Sequence, residues 1–333
     1  MLRTLFVVSG GENVGTGHLK RCKLLSDELK RKNFYFIGVK DNKYFKIPNN
    51  INYEIKKFDK KNILTVIKFC EKLRIQSVII DHTNLNFEIQ KSLYKKYFLT
   101  VFDNQQKINF ITDVLINASP KLSIQNYKNR IKNKNTQLLL GHNYSLINLP
   151  KKKIEKKIPN SIFFCFGGGD DKQVLFKFLK YVKKTNININ VSFNLIIGPL
   201  NKNYQKYKEY IKKNNLKNIY LIFNPKNIYE IMQKSFLAVI SPGTLFYELS
   251  YYKKPAYIIY LNQKQKNLAM SWYKNGLIVD YQSHSEINFK KIIKNIYLFN
   301  DLSNKFDLKV IKYTNNSKKI IKKLIEIHKK FYG

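Results

Sequence analysis

Apolar and polar residues fall into alternating blocks along this chain, and the blocks have two different textures. Short runs in which nearly every position is apolar, such as Leu5-Phe6-Val7-Val8 and Phe98-Leu99-Thr100-Val101-Phe102, predict strands covered on both faces. Between them lie longer stretches with apolar residues three and four apart, as in Leu24, Leu25 and Leu29, which is the mark of a helix with one buried side. Read this way, the first half has strands at residues 5–8, 34–39, 77–80, 98–102, 114–116 and 137–140. Helices are expected from about residue 17, over 60–73 and near 87–97. The pattern restarts with strands at 162–166, 193–197, 219–223, 237–240 and 256–260, a helix over 172–184 and further helices to about residue 275. Strands separated by helices of this length imply βαβ units and parallel sheets.

The break between the halves is the stretch Pro150-Lys151-Lys152-Lys153-Ile154-Glu155-Lys156-Lys157-Ile158-Pro159, charged and closed by proline at both ends, which suits a linker. The expectation is an α/β protein of two doubly wound, Rossmann-like domains, residues 1–150 and 151–333, facing a cleft. Residues 317–332 form a last helix, assigned to the second domain. Its Ile320, Ile321, Leu324, Ile327 and Phe331 lie at helical spacing with lysines between them. Such a stripe packs on the protein or, in a basic helix, rests on an anionic membrane.

Composition narrows the partners. Lys+Arg number 61 against 22 Asp+Glu, a formal charge of +39, which calls for an anionic partner or reflects coding bias. The lysines are spread evenly and are enriched together with Asn, Ile, Tyr and Phe, as an AT-rich coding sequence dictates. No basic–aromatic module is present, which argues against nucleic acid. Cys22, Cys70 and Cys165 are far apart and read as small buried hydrophobes. With no secretory h-region after Met1 and no apolar run near the roughly 18–20 residues that span a bilayer, a cytoplasmic protein is expected, taken as a monomer.

The chemistry clusters at strand ends. The first strand runs into Ser9-Gly10-Gly11-Glu12-Asn13-Val14-Gly15-Thr16-Gly17-His18, a glycine turn with His18 where a helix begins. Glycines let backbone approach a ligand, and a helix start offers N–H groups to an anion. Asp81-His82-Thr83-Asn84, Asp103-Asn104-Gln105 and Gly141-His142-Asn143-Tyr144 follow later strands. Each has a plain structural reading as well: a helix cap for Asp81, a core hydrogen bond for His82, packing for Tyr144. In the second half, Gly167-Gly168-Gly169-Asp170 follows the first strand, a candidate phosphate or interdomain contact. Ser241-Pro242-Gly243-Thr244 opens a helix with Glu248 one turn along, and Asn262-Gln263 follows a further strand. A helix start with a carboxylate one turn in suits a diphosphate joined to a ribose. No two histidines share a helix face at ligand spacing, so neither metal nor cofactor is expected.

In this order, the residues Gly15-Thr16-Gly17-His18-Leu19-Lys20-Arg21, Ile79-Ile80-Asp81-His82, Phe102-Asp103, Leu115-Ile116-Asn117, Gly141 to Ile147, Phe166 to Asp170, Ser241 to Thr244 with Glu248, and Asn262-Gln263 resemble a known family. It is that of the UDP-2,4-diacetamido-2,4,6-trideoxy-L-altrose hydrolases of pseudaminic acid biosynthesis, related to the GT-B glycosyltransferase of lipid II synthesis. The resemblance covers roughly residues 5–280. It implies a GT-B fold and hydrolysis of a UDP-sugar, with His18 as the general base on water. It further implies substrate contacts from Gly15, Gly17, Arg21, Asp81, His82, Thr83, Tyr144, Gly167 and Gly168. On the nucleotide side it implies contacts from Ser241, Gly243, Thr244, Glu248, Asn262 and Gln263. Two departures bear on the sugar. Ser9 to Glu12 stand where the family has an Arg and an Asp, and Thr83 stands where it has a Tyr. A glycosyltransferase using the same nucleotide site is the alternative.

Overall fold

The computed structural model describes residues 2–11, 14–30, 33–41, 46–103, 108–120, 122–148, 161–169, 171–185, 191–294, 311 and 313–333. Residues 150–159, expected as a linker, lie outside the described residues, as do Glu12, Asn104, Gln105 and Asp170. The chain divides into two units, residues 1–148 with 314–333, and residues 149–313.

The first unit carries β1 (Thr4–Val8), α1 (Gly17–Ser26), β2 (Phe34–Ile37), α2 (Lys60–Lys72), β3 (Ser77–Asp81), α3 (Phe87–Tyr94), β4 (Phe98–Phe102), β5 (Val114–Asn117) and β6 (Gln137–Leu140). All six strands run parallel in the order β2-β1-β3-β4-β5-β6. Thr4–Val8 is buried at every position because apolar clusters cover both sheet faces. Asp59 and Asn86 begin α2 and α3, their side chains accepting the N–H groups of Asn62 and Ile89. The chain leaves β1 toward β2 on one side and returns through β3 on the other. The crevice beyond the carboxyl ends of β1 and β3 is therefore a topological switch point, where open α/β sheets bind ligands.

The second unit carries β7 (Ser161–Cys165), α4 (Val174–Thr185), β8 (Ser192–Ile197), α5 (Tyr204–Lys213), β9 (Ile219–Phe223), α6 (Ile228–Gln233) and β10 (Ser235–Ile240). It continues through α7 (Thr244–Tyr251), β11 (Ala256–Tyr260), α8 (Gln263–Lys274) and β12 (Asp280–Ser283). Its sheet is parallel in the order β12-β11-β10-β7-β8-β9, which puts the switch point between β7 and β10. Phe164, Phe178, Phe193 and Tyr257 lie in its core.

One expectation is corrected. The last helix, α9 (Ser317–Tyr332), belongs to the first unit and not to the second. Its Ile320, Ile321, Leu324 and Ile327 share a core with Leu19, Cys22 and Leu25 of α1. Ser317 donates to Glu28 Oε1 at 2.7 Å, and the Tyr332 hydroxyl donates to Asp113 Oδ1 at 3.1 Å. The stripe that a bilayer would have taken is thus spent on the fold. Among the described residues no helix is long and apolar enough to cross a membrane. The three cysteines are buried, as expected of small apolar side chains.

Candidate functional site

In the first unit the turn after β1 is narrow. Gly11 donates to Gly15 O at 3.2 Å and Gly15 donates back at 2.6 Å. Gly15 holds φ +77°, a left-handed conformation that favours glycine. α1 begins at Gly17 with no side-chain cap from Thr16. His18, Arg21 and Cys22, at helical spacing i, i+3 and i+4, share one face of α1. The parallel register of β1 and β3, in which Val8 pairs with Asp81, brings the Asp81 carboxylate to that face.

Asp81 is fully buried and takes every one of these groups. His18 Nδ1 lies 2.6 Å from Oδ1, Arg21 Nη2 donates to the same oxygen at 2.5 Å, and Arg21 Nε donates to Oδ2. The Cys22 thiol stands 3.7 Å from Oδ2. Burial alone would raise the carboxyl pKa, but the Arg21 and His18 charges and hydrogen bonds hold it well below the usual carboxylate range. The Arg21 guanidinium also lies over the Phe102 ring, 4.9 Å from its centroid. With its Nδ1 proton directed at Asp81, the His18 ring keeps Nε2 as its acceptor, and 16% of that side chain is open to solvent. Asp81 therefore lies behind His18, bonded to the ring from the sheet side. Arg21 takes both oxygens of that carboxylate from the same helix face.

His82, the next residue, takes another direction. It points away from α1 and is buried, its Nε2–H donating to Ile55 O at 3.1 Å and its Nδ1 accepting from Asn84 N–H at 3.2 Å. Its ring meets Phe58 edge-on, and burial pushes its pKa down to about 4. Thr83 is partly open at the crevice, its N–H donating to Ser9 Oγ at 3.2 Å. Tyr144 is partly buried in the core that α9 closes, with Lys319 Nζ 4.8 Å above its ring, so packing accounts for it.

In the second unit, Gly167 is exposed with φ +92°. Gly168 O accepts the Leu200 N–H at 2.9 Å, and a Cβ on Gly198 would lie 2.4 Å from Gly168 Cα. That close approach was not among the sequence expectations, although Gly198 directly follows a strand. Across the switch point, the Ser241 N–H donates to Cys165 O at 3.3 Å. Gly243 precedes α7 in an extended conformation, and nothing lies within 4 Å of where its Cβ would be. Thr244 starts α7, and Glu248 is one turn along, 9% exposed, its Oε1 3.5 Å from the Tyr229 hydroxyl. Ser241, Gly243, Thr244 and Glu248 thus lie between the carboxyl end of β10 and the first turn of α7, next to the end of β7.

The Asn262-Gln263 pair is tied up locally. Asn262 Oδ1 caps α8 by accepting Gln265 N–H at 3.0 Å, and Gln265 reaches back to Leu261 N at 2.7 Å. Gln263 donates to Asn267 at 3.3 Å. Helix capping gives Asn262 a local role. Among the described residues no group of three or more His, Cys, Asp or Glu is placed to hold a metal ion.

No family model matches the chain. The protein MJ1062 of Methanocaldococcus jannaschii, itself uncharacterised, is 25% identical over 288 residues, 80% of this chain. This chain spans 57% of the length of that relative. Among solved structures, MurG of Acinetobacter baumannii superposes with a TM-score of 0.60 at 12% identity, covering 97% of this chain and 99% of MurG. The Methanocaldococcus jannaschii UDP-GlcNAc 2-epimerase, solved in complex with UDP-GlcNAc and UDP, gives a TM-score of 0.61 at 12% identity over 97% of this chain and 99% of its own. These likenesses show the fold, the GT-B architecture of two Rossmann-like domains.

Proposed function

We propose that this protein binds a UDP-linked acetamido-deoxy sugar and hydrolyses it, releasing UDP and a free amino sugar of the kind used for nonulosonic acids. The observation that carries the reading is the His18–Asp81 pair, set at a helix start at the switch point of the first sheet. A buried carboxylate that receives Nδ1–H leaves Nε2 to take a proton, as a general base requires. Water oxygen attacks the anomeric carbon, His18 Nε2 takes the water's proton, and the C–O bond to the β-phosphate breaks with inversion. UDP leaves with the bonding electron pair.

N–H groups at the start of α7, with Ser241, Gly243 and Thr244, stabilise the charge that grows on the diphosphate. Glu248 accepts the ribose hydroxyls, and the open backbone at Gly167 and Gly168 admits the phosphates. Gly15, Gly17 and Thr83 border the sugar near His18. The neighbouring fold that was crystallised with UDP and UDP-GlcNAc supports a nucleotide-sugar over other anions.

The test is UDP release from a panel of UDP-sugars in plain buffer. Release without acceptor is expected, whereas release only on adding a sugar or lipid acceptor identifies transfer to a hydroxyl in place of water. His18→Ala abolishes release while UDP affinity holds; undiminished turnover in that variant rejects the mechanism.

A further inference from the structure

The second sheet ends on two unlike edges. β12 is polar and carries Asp280, whose Oδ2 meets Lys291 Nζ at 2.6 Å. β9, Ile219-Tyr220-Leu221-Ile222-Phe223, holds no charge and no proline, and β8 is its one strand neighbour among the described residues. Such an edge presents N–H and C=O groups to any strand that arrives, so folded proteins block it with charge, proline or a covering segment. The apolar edge β2 is blocked in this way: Phe36 N–H donates to Asn49 O at 3.3 Å and Ile51 N–H to Phe36 O at 3.0 Å. Among the described residues no loop bonds in that manner to Tyr220, Leu221 or Ile222. Tyr220 is 53% exposed, and Leu221 and Ile222 are half-buried.

The ends of β9 show what fits. Asn218 and Asn224, each three positions from Leu221, hold φ +59° and +42°, left-handed conformations that stop the strand at both ends alike. A strand symmetric about its middle residue matches a second copy of itself. With a two-fold axis at Leu221, antiparallel copies pair Tyr220 with Ile222 and Ile219 with Phe223, and Asn218 falls opposite Asn224. Every pair within the strand is then apolar, on both faces of the sheet. Lys217 falls opposite Pro225 and Lys226 opposite Leu216, so the pairing opposes no like charges along its length. We propose that β9 is a dimerisation edge and that its occupant is a second copy of this chain, in place of the monomer expected from the sequence. The axis closes the pair, joining two six-stranded sheets into one and leaving β9 closed to further addition. The net charge of +39 on each copy works against association, so salt should tighten the dimer, the reverse of what an acidic partner would show.

Sedimentation velocity on the full chain is the test, at up to about 0.1 mM protein and in about 0.05 and 0.3 M salt. A dimer that tightens with salt is expected. Tyr220→Lys and Ile222→Glu should each weaken it about tenfold or more, because the axis repeats the mismatch on both sides. Mixing the two variants should restore pairing, since positions 220 and 222 of opposite copies then carry opposite charges. Tyr220 is largely open to solvent, so its variant should keep the fold, and circular dichroism checks both. Should Ile222→Glu fail to fold, Leu221→Cys takes its place. At the axis the two Cα atoms would lie about 4.5–5.5 Å apart, within disulfide range, and mild oxidation should cross-link the copies. A monomer at every concentration overturns the proposal and leaves the edge to some other chain. A dimer that Tyr220→Lys leaves intact lies elsewhere on the surface and overturns it too. So do a mixture that recovers no pairing and, where it is used, a cross-link that does not form.

Discussion

Acid should loosen the first unit in a specific window, and the group responsible is His82. Its ordinary pKa of 6.5 falls to about 4 in the fold, where burial against Phe58 and Ile55 penalises the charged ring. The unfolded chain therefore binds a proton that the folded chain refuses. Stability contributed by the neutral ring is complete above 6.5 and drains as the pH falls toward about 4. At about 1.4 kcal/mol per pH unit, the displacement amounts to about 3 kcal/mol. That is a large part of the stability of an ordinary domain, typically about 5–15 kcal/mol. Because Trp272 is the single tryptophan and lies in the second unit, its fluorescence does not report this event. Amide hydrogen exchange in β1 and β3, at pH values from 7 to 4 and corrected for intrinsic rates, does. The control is His82→Gln, which keeps a donor toward Ile55 O but cannot titrate. It is expected to start less stable and to lose nothing further across the window. Parallel curves for the two proteins would refute the assignment of the acid limb to His82.

Three further predictions bear on packing and binding. Leu324→Ala empties a buried site between α9 and α1 and should cost the first unit about 2–5 kcal/mol in denaturant unfolding while leaving the Trp272 signal of the second unit in place. Gly243→Ala adds a methyl to an extended residue with open space around it, so thermal unfolding should not change. The methyl intrudes on the anion site, however, and calorimetry should show UDP binding weakened by about 1.5–3 kcal/mol, one charge-assisted hydrogen bond. The contrasting Gly198→Ala drives a methyl into Gly168 Cα, and should destabilise the second unit by about 1–3 kcal/mol.

Most of the architecture is written in the spacing of apolar residues. All-apolar runs such as Val78-Ile79-Ile80 suit only strands covered on both faces, and the strand ends follow directly. What such spacing cannot supply is the identity of a partner distant in sequence. The stripe of α9 announces burial without naming α1 as its floor. Arg21 sits at i+3 from His18, so their shared face is legible. That Asp81, sixty positions away, meets that face depends on the Val8–Asp81 register, which no local signal encodes. Asp81 and His82 are neighbours with opposite fates, one turned to α1 and the other to Ile55, because successive strand residues point to opposite faces. Asn262 was open to a local reading. Asn followed three residues later by Gln is a helix-start signature, and Asn262 caps α8 as that signature predicts.

The return of the chain from the second unit to finish the first has a consequence for biogenesis. Leu19, Cys22 and Leu25 leave the ribosome well before Ile320, Leu324 and Ile327, which cover them, because the whole of the second unit lies between the two segments. Throughout synthesis of the intervening segment that greasy flank stays bare, a natural landing place for a chaperone until α9 emerges and displaces it. The nascent first unit cannot reach its mature stability ahead of the second, so the usual order of N-terminal folding is reversed at this one seam.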